Sequence, residues 1–165
     1  MIVEDGTIVN DANSYVTVSY ADSFHNDRAN SSWTGTDAVK EAALIKATDY
    51  IEQVYEGRWV GYLVDNDQPL SWPRTYNVNG SVYVDYDISG DIPKRLKQAV
   101  CILALESLSG ELNPVLDRAV KREKVDVIEV EYMDGASDGK RRPAITGLLR
   151  PYLKGSAWNA PAVRV

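Results

Sequence analysis

The stretch from Leu96 to Leu108 places the tightest limit on how this chain can fold. Leu96, Ala99, Val100, Ile102, Leu103, Ala104, Leu105 and Leu108 surround most of a helix axis. A helix that is apolar on nearly all sides has to sit inside a core, with other elements packed around it. Its ends are punctuated: Asp91 as the cap, Pro93 near the first turn, Lys94, Arg95 and Lys97 following, and Gly110 as the stop. The continuous apolar run, Ala99 to Leu105, is far short of the roughly 20 residues that cross a bilayer. A chain of 165 residues with 44% hydrophobic and 25% charged side chains is enough for one domain with a true core.

Two further helices should pack on this one. Ser19 is placed to cap a short helix reaching about Ala29, with Asp22 three residues later and Tyr20, Ala21 and Phe24 on its buried side. Thr36 or Asp37 caps a longer helix that Gly57 ends. Along it Ala43, Ala47, Tyr50, Ile51 and Val54 follow helical spacing. Residues 1–17 read as an arm or a short edge strand. Residues 58–91 are irregular and rich in tyrosine and tryptophan, with Asn79-Gly80 marking a hairpin between 76–78 and 82–84. A short helical turn is expected between Pro114 and Ala119. Val120 to Met133 alternates as strand, with a change of parity at Val127–Ile128 that predicts a bulge or bend. Pro143 opens a last short helix holding Ile145, Leu148, Leu149, Tyr152 and Leu153. The expected fold is therefore mainly α (α+β): a compact bundle of about four helices with a β hairpin or ribbon and a long aromatic loop region. Residues 1–155 form one domain, and 156–165 form an extended C-terminal tail.

Composition narrows the chemistry. Cys101 is the only cysteine and His25 the only histidine, which excludes an internal disulfide framework and a Cys- or His-clustered metal site within one chain. The start, MIVEDGTIV, is acidic and too poor in apolar residues for a signal peptide, so a soluble intracellular protein is expected. The net charge is −6, yet it is unevenly spread: residues 1–90 hold 5 basic against 14 acidic residues, and residues 91–165 hold 13 against 10. Two unlike faces would follow, unless the fold mixes the halves in space.

No catalytic constellation emerges, and an enzyme is not expected. His25 lies near Ser23 and Asp22, but no nucleophile elbow accompanies it. Asp85-Tyr86-Asp87-Ile88-Ser89-Gly90 matches the opening of a calcium loop, but its twelfth position is Leu96 instead of a glutamate. Gly135 to Arg142 has the wrong spacing for a phosphate-binding loop, although Lys140, Arg141 and Arg142 could contact phosphates or an acidic protein surface. No cofactor or metal is implied. Trp59, Tyr62, Trp72, Tyr76, Tyr83 and Tyr86 could stack on unpaired bases, but only beside a basic groove. Residues 58–91 carry Arg58 and Arg74 against five acids, so packing of these rings onto the helices is the favoured reading.

A longer series of segments carries a resemblance. It runs from Ser14-Tyr15-Val16-Thr17-Val18 through Glu41 to Ile51, Leu70-Ser71-Trp72-Pro73-Arg74 and Ile92-Pro93 to Leu108-Ser109-Gly110-Glu111-Leu112. Lys124-Val125, Ile128 to Tyr132, Pro143-Ala144-Ile145 and Leu148-Leu149 complete it. Their order, over about residues 14–153, resembles a tailed-bacteriophage family labelled DnaT-like single-stranded DNA-binding protein, which is also similar to head–tail connector (adaptor, or head-completion) proteins.

The two labels imply different functions. The connector likeness implies a virion subunit at the head–tail interface, assembled in the host cytoplasm as a homo-oligomeric ring of about twelve copies. That ring would meet the portal on one side and a tail-side connector or terminator protein on the other, with no membrane partner. It would let double-stranded DNA pass without specific binding, and a net charge of −6 per copy suits a surface that must not grip phosphates. In that reading Trp158, Val163, Arg164 and Val165 of the tail, together with Trp59, Trp72 and Tyr83, are the expected partner contacts. The alternative is a single-stranded DNA-binding protein of phage replication. It requires stacking rings beside positive charge, and on charge alone the connector is the favoured expectation.

Overall fold

The computed structural model describes residues 1–78, 81–84, 92–112, 122–125, 128–131 and 142–154, and the strand residues 76–78, 81–84, 122–125 and 128–131 are described by their backbone pairing. Four α-helices lie within these residues: α1 (Val18–Asn26), α2 (Asp37–Tyr55), α3 (Lys94–Ser107) and α4 (Pro143–Leu149), the last running into a 3-10 turn over Arg150–Tyr152. Three strands, β1 (Tyr62–Leu63), β2 (Arg74–Val78) and β3 (Ser81–Val84), form an antiparallel sheet in that order. Strands β4 (Arg122–Val125) and β5 (Ile128–Glu131) form a separate antiparallel pair. The mainly helical α+β class read from the sequence holds.

Helix α3 is central, as its composition requires. It packs against α1, α2 and α4, and Leu96, Ala99, Val100, Cys101, Leu103 and Ala104 are buried. Ile102, Leu105 and Leu108 are only partly covered. On α2 the buried stripe is Ala43, Leu44, Ala47, Thr48, Ile51 and Tyr55. It is rotated from the expected face: Leu44 and Thr48 are buried, and Tyr50 and Val54 lie at the margin of the core. Each fully buried leucine in this interface contributes roughly 1.5–3 kcal/mol of transfer free energy.

Several boundaries differ from expectation for identifiable reasons. Thr17, not Ser19, caps α1: it is extended, and its hydroxyl accepts from Tyr20 N at 3.1 Å. Thr36 caps α2 by accepting from Val39 N at 3.4 Å, one of the two residues proposed. Pro93 occupies the cap position of α3 without a side-chain bond, and Asp91 lies outside the described residues. The parity change at Val127–Ile128 is a chain reversal and not a bulge: Val125 pairs with Ile128 and Arg122 with Glu131. The expected hairpin around Asn79-Gly80 is present, with Val78 opposite Ser81 and Asn77 opposite Val82. The helical turn at 114–119 and the tail at 156–165 lie outside the described residues.

The N-terminal segment is a loop that makes a single β-bridge, Val3 with Ser14, in place of a regular edge strand. Glu4 is buried, and its carboxylate accepts from the backbone N–H groups of Gly6, Ile8 and Val9 at 2.8, 3.1 and 2.9 Å. Those bonds hold Ile8 at φ 62°, a conformation that β-branched residues rarely adopt. Beyond it Ala12, Tyr15 and Val16 enter the core.

Candidate nucleic-acid interface

The loop that follows α2 is organised around two side chains whose roles spacing does not betray. Arg74 turns back from β2 and donates to three carbonyls: Nε to Val60 at 2.8 Å, and its two Nη groups to Gly61 at 2.8 Å and Ser71 at 3.1 Å. Burial pulls its guanidinium below the ordinary value, with Tyr15 and Glu52 acting in the opposite direction. Gln68 staples the next turn: Oε1 accepts from Val64 N and Asp65 N, and Nε2 donates to Leu70 O and Pro73 O. Residues 60–74 are thereby a cross-braced loop with β1 at its open side, which answers the question of where a loop's backbone polar groups go.

The C-terminal end of α4 comes alongside. Val60 N donates to Tyr152 O at 2.9 Å and Lys154 N to Arg58 O at 2.7 Å, with Trp59 bridging Leu153. The Lys154 ammonium bonds Gly57 O at 3.1 Å. Lys154, from the basic half of the sequence, therefore lies beside the acidic half.

Tyr62 is 69% exposed, Leu63 37% and Val64 43%. They form an apolar patch on a strand that has a neighbour, β2, on one side only in the sheet order. A cavity of about 530 Å³ opens here, bordered by Val60, Tyr62, Leu63, Asn66, Arg74 and Lys154. Among the described residues two cations and no carboxylate border it. Asp65, next along the chain, is directed to its own turn, where its carboxylate accepts from Asp67 N at 2.9 Å.

The residues singled out from sequence divide into three groups. Trp59 and Trp72 are buried in the core, stacked edge-on at 5.9 Å, with Tyr55 5.7 Å from Trp59 and Tyr152 5.6 Å from Trp72. They are framework and not outward anchors, because the loop folds their rings into the core; among the described side chains of this region the exposed ring is Tyr62. Arg142 is also built in, and not a free phosphate contact. It donates to Glu106 at 2.8 Å, the Tyr50 hydroxyl at 2.8 Å and Leu112 O at 2.8 Å. Burial alone would lower its pKa, but the bonds to Glu106 and the neighbouring Tyr50 outweigh that and raise it. Tyr83 occupies the register position opposite Tyr76. Lys140, Arg141, Trp158, Val163, Arg164 and Val165, and the acidic run at 85–91, lie outside the described residues.

Two other reactive groups are buried. Burial pushes the Cys101 thiol up to about 12, too high for a nucleophile at neutral pH. His25 is enclosed between α1, α3 and Trp33. Among the described residues no cluster of three or more His, Cys, Asp or Glu side chains could hold a metal ion, and no helix is long and apolar enough to cross a membrane.

Comparison with known proteins yields one family. A family model with the description "Putative DnaT-like ssDNA binding protein" matches residues 1–165. No curated protein and no solved structure matches the chain.

Proposed function

The chain belongs to the family of DnaT-like ssDNA binding proteins, and from that premise we propose that it binds single-stranded DNA, with the β1 end of the molecule as the contact surface. The observation that carries this reading is the pairing of a mostly exposed Tyr62 ring with a cavity bordered by Lys154 and by the carbonyl-braced Arg74, with no carboxylate among the described residues. Stacking of an unpaired base on an aromatic ring is worth about 1–3 kcal/mol and tolerates any sequence, provided cations lie nearby for the backbone. The linear charge balance of residues 58–91 argued against such a place. It could not anticipate that Lys154 arrives from another part of the chain, or that Asp65 is turned into its own loop. No step of bond chemistry is involved.

The test is a titration of a labelled oligo-dT strand by fluorescence anisotropy over a salt series. Tyr62→Ala should weaken binding about 5- to 150-fold, the equivalent of one lost stack. Lys154→Ala should flatten the slope of log K against log salt by about 0.7, the single-strand value for one phosphate contact. Equal affinity for Tyr62→Ala and the parent chain, or binding that fails to saturate even at low salt, rejects the proposal.

A second reading, the connector subunit, draws on different observations: a net charge of −6 and the apolar character of Tyr62, Leu63 and Val64, which a neighbouring protein would cover as well as a base would. Here the same edge joins copies into a ring on the portal at the head–tail joint, and DNA passes without being held. It is supported if Leu63→Asp abolishes self-association while DNA affinity is negligible at physiological salt, and if the chain is found in finished virions. Absence from mature particles rejects it.

A further inference from the structure

His25 is 1% exposed, and both of its ring nitrogens are engaged across different parts of the fold. Nε2 lies 3.1 Å from Cys101 O on α3, and Nδ1 lies 3.0 Å from the Asn30 side-chain nitrogen. A carbonyl accepts only, so Nε2 carries the proton and donates; an amide nitrogen donates only, so Nδ1 is bare and accepts. The neutral imidazole therefore links α1 to α3 on one side and to the segment 27–36 on the other. Trp33 is the one buried residue of that segment, stacked on His25 with ring centroids 4.6 Å apart. The Trp33 indole N–H donates to Asp22 at 2.6 Å, and Lys40 bonds the same carboxylate oxygen at 2.8 Å. A polar cavity of about 430 Å³ lies beside this cluster, bordered by Asp22, Asn30, Trp33 and Lys40.

We propose that residues 27–36 are a proton-released strap: a proton taken from water onto Nδ1 of His25 turns its acceptor into a donor facing the Asn30 amide, and the strap carrying Trp33 lifts to let water reach the imidazolium. The charged groups around the ring set the balance. Asp22 on α1 favours the cation, whereas Arg28 in the strap and Lys40 on α2 oppose it, and the Cys101 thiol on α3 stays neutral. A buried imidazolium without water is costly. The strap is tied down by Trp33 and its bond to Asp22, by Arg28 on Phe24, and by Arg28 N and Asn30 N on His25 O. These ties are all to α1, so lifting the strap disturbs fewer elements than parting α1 from α3. Burial correspondingly holds the His25 pKa below its ordinary 6.5. The neutral form's stabilisation is complete above pH 6.5 and is lost as pH falls from there through the folded-state value. The inference does not rest on DNA binding.

Because His25 is the only histidine, its ring protons give one unambiguous NMR titration in the intact chain. The Trp33 indole N–H resonance should move with the same midpoint, while amides of α3 and of α2 beyond its first turn stay in place. Asn30→Asp supplies a carboxylate that accepts from the charged ring. It should raise the His25 midpoint and leave Trp33 unmoved over the same pH range. Two results overturn the proposal: a Trp33 signal indifferent to the His25 titration in the parent chain, meaning a simple flip of the Asn30 amide suffices, or loss of α2 and α3 amide signals together with it, meaning the whole fold opens.

Discussion

Arg142 shows how far a side chain's role can lie from its neighbours in sequence. In the run Lys140-Arg141-Arg142 it reads as one of three exposed cations, yet it stands over the Tyr50 ring at 4.6 Å and bonds Glu106 and the last carbonyl before residue 113. It thereby closes the base of the excursion that leaves α3 and returns at α4. Replacing it with Met keeps the stem and removes the fork, leaving Leu112 O and Glu106 short of a donor. Arg142→Met should cost about 2–3 kcal/mol, read as a lower urea midpoint at unchanged slope. Glu106→Gln should cost less, since the guanidinium keeps Tyr50 and Leu112. Glu4 is a second case. Nothing in its acidic setting signals that three backbone N–H groups converge on it.

At the level of elements, helices were more legible than the segments between them. The all-round apolar pattern of Leu96 to Leu108 required a central helix, and α3 is flanked by α1, α2 and α4. Leu103→Ala should therefore cost about 2–5 kcal/mol, with the larger value expected if α2 and α4 cannot close on the cavity; thermal or urea unfolding measures it. The cap of α1 lies two residues before the one expected, because Thr17 and Ser19 both offer a hydroxyl at that start, whereas Thr36 caps α2 as one of the two residues expected. The β4–β5 reversal was hidden for a related reason: a two-residue turn and a bulge both invert side-chain parity. Residues 58–74 were the least legible. Their order comes from Arg74 and Gln68 reaching carbonyls several to fourteen residues away, and no periodicity encodes such a brace.

The molecule as a whole mixes its acidic and basic halves. Lys154 settles against Gly57 and Arg58, and Arg142 against Tyr50. Within the acidic half, Tyr15 makes a further long-range tie. Its hydroxyl donates to Glu52 on α2 at 2.5 Å and accepts from Trp72 N at 3.2 Å, while Glu52 also accepts from Ser71 N and Oγ. N-terminal loop, α2 and aromatic loop are joined at one buried phenol, which burial and then Glu52 hold well above its ordinary pKa. Tyr15→Phe would strand a buried Trp72 N–H and should lower stability by about 1–3 kcal/mol. It should also loosen the loop bearing Tyr62, measured as faster amide exchange across residues 60–74.

By itself the amino-acid order determined the α+β class, the central helix and the antiparallel pairing of the strands on either side of Asn79-Gly80. Each of these rests on local spacing or on counting residue types, and both are complete before the chain folds. Only the tertiary structure decided which rings face water, which cations are already engaged and where Tyr62 finds Lys154. Exposure and local charge are sums over neighbours in space, and most of those neighbours come from distant parts of the chain.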